Sequence, residues 1–151
     1  MAKAIMVGQP PEPEITTGVL SFAARPGMAV IRNSAGTKYQ APNAEAAGAL
    51  QELALVLTKR QTGGAVDDNY AADESAALWY PRKGDRFNAL FKANGSSTSQ
   101  KVGSQVMRAN DGTFVPRSGS NVLGVATLEE EHTINSSASA TAAVLRKMRT
   151  L

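Results

Sequence analysis

The chain has 151 residues, with 16 basic and 13 acidic side chains, a net charge of +3, 42% apolar residues, 5% aromatics and no cysteine. That length suits one ordinary domain and leaves little room for a second. The absence of cysteine excludes disulfides, thiolate nucleophiles and thiolate metal sites, and the mild, scattered positive charge lacks the concentrated basic face of a typical nucleic-acid binder.

Much of the apolar share is alanine, so a modest core with extended arms that order on a partner is expected. The start, Met1 to Glu14, lacks the sustained apolar stretch of a secretory signal. No apolar run approaches the roughly 20 residues of a membrane helix, so no membrane partner is expected.

Residues 1–27 read as an extended N-terminal arm. Pro10, Pro11 and Pro13 fix φ and remove backbone donors, which keeps this piece out of a sheet interior. Thr16 to Phe22 reads as a short strand or a continuation of the arm, and Arg25-Pro26-Gly27 as a turn. Met28–Arg32 and Thr37–Gln40, joined by Asn33-Ser34-Ala35-Gly36, form a predicted β-hairpin that ends at Pro42.

Residues 44–60 are ambiguous. Ala, Leu, Glu and Gln favour helix, with Asn43 as a cap and Leu50, Leu53 and Leu57 at helical spacing, while Leu53 to Lys59 also reads as a buried strand. Gly63-Gly64 breaks the chain. A polar segment anchored by Tyr70 follows, and Ala77 to Tyr80 is a predicted strand stopped by Pro81, with Trp79 as a core residue.

From Arg86 to Lys92 the alternation puts Phe87, Ala89 and Phe91 on one face and Arg86, Asn88 and Lys92 on the other. Lys83-Gly84-Asp85 before it is a tight turn. Val102 to Arg108 is the next predicted strand, anchored by Val106 and Met107. Asn110-Asp111-Gly112 is a turn tolerant of positive φ. Thr113 to Val115 and Val122 to Leu128 complete the strands. Glu129-Glu130-Glu131-His132 is a self-repelling charge run that belongs at the surface. Ala143 to Leu151 reads as a closing edge strand or a short helix.

No catalytic constellation emerges. His132 is the only histidine, and one histidine beside carboxylates falls short of the three or four ligands of a zinc site. Neither a nucleophile elbow nor a phosphate-binding glycine loop occurs. No enzyme activity, cofactor or metal is expected. An oligonucleotide-binding barrel would need exposed aromatics beside basic groups, whereas Phe87 and Phe91 alternate with Arg86 and Lys92 and so face the core.

The order of features resembles the small decoration, or cement, proteins of tailed-phage capsids. An apolar run at Leu53 to Leu57 is followed by Tyr70-Ala71-Ala72-Asp73 and by Leu78 to Tyr80. Gly84-Asp85-Arg86-Phe87 then leads an alternating strand, and Val102 to Met107 follows with Gly103-Ser104 where the pattern has a second Gly-Asp. Asp111-Gly112-Thr113-Phe114-Val115 and Leu123 to Glu129 complete the match, which covers about half the chain.

The resemblance implies a mainly β protein with a small β-barrel or β-tulip-like domain and little helix; residues 1–27 have no counterpart in the pattern, and the extended N-terminal arm rests on the proline reading. The arm would span 1–27 and a single domain 28–151, with its core at 53–128 and a C-terminal segment at 129–151. It also favours the strand reading of Leu53 to Lys59. The implied function is a non-enzymatic virion protein, made in the host cytoplasm, that sits on the outer capsid surface and bridges subunits of the major capsid protein. A homo-oligomer, trimer or dimer, is expected, with no direct contact to nucleic acid. Ile5, Met6, Val7, Pro10, Pro11, Pro13, Ile15, Val19, Leu20 and Phe22 are the expected capsid or intersubunit contacts. The alternatives are another head or tail component and a single-strand nucleic-acid-binding β-barrel.

Overall fold

The computed structural model describes residues 5–8, 13–42, 54–59, 68–93, 99–118, 124–133 and 143–151. They form eleven strands and no α-helix: β1 (Met6–Val7), β2 (Glu14–Val19), β3 (Ala29–Arg32), β4 (Tyr39–Gln40), β5 (Ala54–Val56), β6 (Ser75–Tyr80), β7 (Arg86–Phe91), β8 (Gln105–Arg108), β9 (Phe114–Pro116), β10 (Ala126–Leu128) and β11 (Val144–Thr150).

One sheet runs β1-β7-β11-β10-β8-β9, and a parallel pairing of β7 with β9 closes its last five strands into a barrel. The closure is the Phe91–Phe114 pair, reinforced by Lys92 N donating to Phe114 O at 2.9 Å. Directly opposed residues share a face, so the register aligns Phe87 with Met148, Met148 with Leu128, Ala126 with Val106, and Phe114 with Arg108. The Phe87 and Phe114 rings meet at a tilt with their centroids 5.8 Å apart.

The other sheet, β2-β6-β5-β3-β4, curls into a half-barrel whose ends meet at a single bridge between Leu20 and Tyr39. Strand alternation gives it two buried faces. Ala29, Leu55, Ala77 and Trp79 join the barrel residues Phe87, Phe91, Phe114 and Met148 in one core. Val30, Ala54, Val56, Ala76 and Leu78 enclose a second core with Leu20, Ala24, Tyr39 and Tyr70. Burial on both faces explains why β6 reads as the unbroken apolar run Ala76 to Trp79. Gly18 in β2 is required by this second core, because a Cβ there would run into the Tyr39 ring.

Two glycines join barrel to half-barrel. Gly27 donates to Val56 O on β5 at 2.8 Å and accepts from Leu90 N on β7 at 2.9 Å. Gly112, at the β8–β9 turn, accepts from Ala29 N on β3 at 2.7 Å. Both hold positive φ, at 89° and 87°, where a Cβ is strained.

The β3–β4 hairpin, the turns at 83–85 and 110–112, and the core positions of Trp79, Phe87 and Phe91 match the sequence reading. Ala54 to Val56 is strand, while the candidate helix cap Asn43 and residues 44–53 lie outside the described residues. Four expectations are corrected. The described part of 1–27 is no separate arm: Ile5 O accepts from Asn88 N, and β2 pairs with β6 over six residues. β11 is no edge, since it lies between β7 and β10. Val102 sits in the turn before β8 at 64% exposure instead of in the strand. The Glu129–His132 run is not a free surface stretch, because ion pairs offset its repulsion and His132 is 2% exposed.

Candidate functional site

The expected contact residues divide into two groups. Ile5 and Leu20 are core residues, 2% and 0% exposed, and cannot meet a partner. Met6 and Val7 are half-buried opposite Phe87 and Arg86. Val19 is half-buried, and Phe22 is half-buried against the second core. Pro10 and Pro11 lie outside the described residues, whereas Pro13 is exposed and Ile15 is 44% exposed.

Ile15 has a specific geometry. It pairs with Trp79, which pairs with Leu55, which pairs with Ala29. These four share one face, so Ile15 extends the row of the shared core past the edge of the half-barrel. β2 is the terminal strand of its sheet, and among the described residues its outer edge meets another strand only beyond Val19, at the Leu20–Tyr39 bridge. An edge strand with open backbone groups and an exposed apolar side chain can take a partner by strand addition or by apolar contact.

A second feature, missed in the sequence reading, is a groove of about 350 Å³ lined by Lys92, Met107, Arg108, Ala109, Asn110, Asp111 and Val115. Asp111 holds it together. Its carboxylate accepts from the Thr113 amide at 3.0 Å and the Thr113 hydroxyl at 2.6 Å, and it pairs with Lys92. Burial raises the Asp111 carboxyl, but the Lys92 and Thr113 hydrogen bonds together outweigh it and hold the group below its ordinary value. Arg108 is 8% exposed, and burial lowers its guanidinium from the usual value. The sequence signal was the Asp-Gly turn, since Lys92 meets it through the pairing of β7 with β9.

Asp111 thus supports stability above the ordinary aspartate range, and that support fades as pH falls through its lowered folded value. Asp111→Asn is expected to lower stability at pH 7 by less than about 1 kcal/mol, because the pair is solvent-screened. The gap from the parent should narrow as pH falls below the ordinary aspartate range in thermal melts across pH 2 to 7, and a gap that stays constant to the acid end would contradict the carboxylate's role.

The charge run forms a third cluster. Glu129 bridges Arg86 at 3.0 Å and Arg149 at 2.7 Å, tying β7 and β11 to the end of β10. The aromatic residues Phe87, Phe91 and Phe114 are all fully buried, so none of the three offers a stacking platform for bases. Comparison with protein-family models matches no family, and comparison with curated proteins finds no match.

Proposed function

We propose that the chain is a non-enzymatic virion structural protein that binds the outside of an icosahedral phage capsid and stabilises it by bridging major capsid subunits, acting as a trimer or dimer. The observation that carries this reading is the place of the decoration-protein motif string in the fold. Gly84-Asp85 forms the turn that enters β7, with Thr150 N donating to Asp85 O at 3.0 Å. Asp111-Gly112 forms the joint between barrel and half-barrel. The motifs thus act as barrel joints, which is the scaffold role the resemblance implies, and recognition falls to the surface. Many weak copies of such a contact on one shell would add through multivalency.

The contact is assigned to the β2 edge around Pro13 and Ile15. The test is cosedimentation of the purified chain with capsids of its source phage, together with the thermal stability of those capsids. Binding with a raised capsid melting temperature is expected. Failure to bind, or binding to single-stranded nucleic acid with a steep salt dependence, would overturn the reading. Ile15→Asp is expected to weaken capsid binding about tenfold, the equivalent of about 1.4 kcal/mol of lost apolar contact. The variant should melt within a few degrees of the parent. Unchanged affinity would remove the β2 edge from the interface.

A further inference from the structure

The first half of β11 is held differently from the second. Val144 to Arg149 pair with β7 along one side, but β10 covers only Met148 to Thr150 on the other. Opposite Arg146 and Lys147 that flank is held by the segment after β10. Glu129 N donates to Lys147 O at 2.9 Å, Lys147 N donates to Glu130 Oε1 at 2.7 Å, and Arg146 Nε donates to His132 Nδ1 at 3.2 Å. His132 is 2% exposed, its ring meets Phe91 edge-on at 4.9 Å, and its backbone exchanges two hydrogen bonds with Gln100.

The Arg146 contact constrains the proton on the imidazole. The Nε–H of a guanidinium has a fixed direction and can only donate, so Nδ1 must be an acceptor and the ring neutral. Protonation would place an N–H on Nδ1 against that donor and set a second positive charge beside the first in a buried site. We propose that His132 is a proton-operated latch on β11: neutral, it holds the first half of that strand; protonated, it releases that half.

The groups around the latch separate its titration from others. β11 contributes Arg146, β7 contributes the uncharged Phe91, and the 99–101 segment contributes Gln100 with the exposed Lys101 beside it. On its own segment, Glu130 is engaged with the Lys147 amide, Glu129 with Arg86 and Arg149, and Glu131 is exposed. Carboxylates as a class titrate well below the histidine range around 6.5. A state that releases one proton on folding gains stability with rising pH, up to tenfold in the equilibrium per pH unit. The latch is therefore fully closed above the ordinary histidine value and opens as pH falls below it.

His132 is the only histidine, so its ring is directly observable in the full chain. Long-range proton–nitrogen NMR should show a proton on Nε2 and none on Nδ1 at pH 7.5, with half-protonation below the ordinary histidine value. Amide exchange of Val144 to Lys147, normalised for intrinsic rates, should accelerate up to tenfold per unit as pH falls below the ordinary histidine value and level off below half-protonation. Arg146→Met should shift half-protonation upward, and His132→Phe should remove the acid step. A proton on Nδ1 at neutral pH, half-protonation at or above the ordinary value, or an unchanged acid step in His132→Phe would each overturn the latch.

Discussion

Deleting residues 1–20 is expected to leave no folded domain. Just before β1, Ile5, 2% exposed, sits in the shared core, and its carbonyl accepts a hydrogen bond from β7. β2 covers the whole length of β6, and Leu20, fully buried, belongs to the second core. Losing each of these large side chains costs on the order of 2–5 kcal/mol, before the β2–β6 ladder is counted. A domain of this size has about 5–15 kcal/mol in total. The truncated chain should lack a cooperative melt and dispersed amide signals. A truncated chain that kept both, with the parent's strand content, would make the N-terminal segment an accessory arm after all. Because the deletion removes the fold together with Ile15, lost capsid attachment in such a truncation would say nothing about the contact itself.

The elements legible in the sequence were those set by local chemistry. Asn33 to Gly36, Lys83 to Asp85 and Asn110 to Gly112 carry their turns in residues adjacent to one another, and each forms. The alternation of β7 was equally visible, but period two says only which residues share a face. It does not say what lies beyond the other face, and there Asn88 and Leu90 are 7% and 2% exposed. β2 was obscure because Thr16, Thr17 and Gly18 carry little apolar signal and their partners Leu78, Ala77 and Ala76 are distant in the chain. β11 read as an edge because of its two arginines and its lysine, although Glu129 on a neighbouring segment accepts Arg149. The contact set suffered from the same limit. Ile5, Leu20 and Ile15 are alike as apolar residues, and only the register distinguishes the first two, which fill the protein's own core, from the third, which projects beyond it.

Gly112→Ala is expected to cost about 2–4 kcal/mol. Two effects combine. The backbone at φ 87° disfavours any Cβ, a strain of about 1–2 kcal/mol. The added Cβ would also lie 2.8 Å from Ala29 O, a backbone atom that cannot rotate away. Relief requires moving the turn from β3, which weakens the hydrogen bond from Ala29 N to Gly112 O, itself about 1 kcal/mol. Gly103→Ala is the matched control, with φ at 88° and nothing within 4 Å of its Cβ. It should show the strain alone. Gly27→Ala belongs between them, since its nearest contact is the Leu145 side chain at 2.8 Å, which can yield, while Leu90 N at 3.2 Å cannot. Denaturant melts of the three variants should therefore rank Gly112 above Gly27 above Gly103 in lost stability. If Gly112→Ala cost no more than Gly103→Ala, the joint between barrel and half-barrel would have slack. Barrel and half-barrel would then be coupled through the packing of Trp79 and Leu55, not through a backbone contact that only glycine permits.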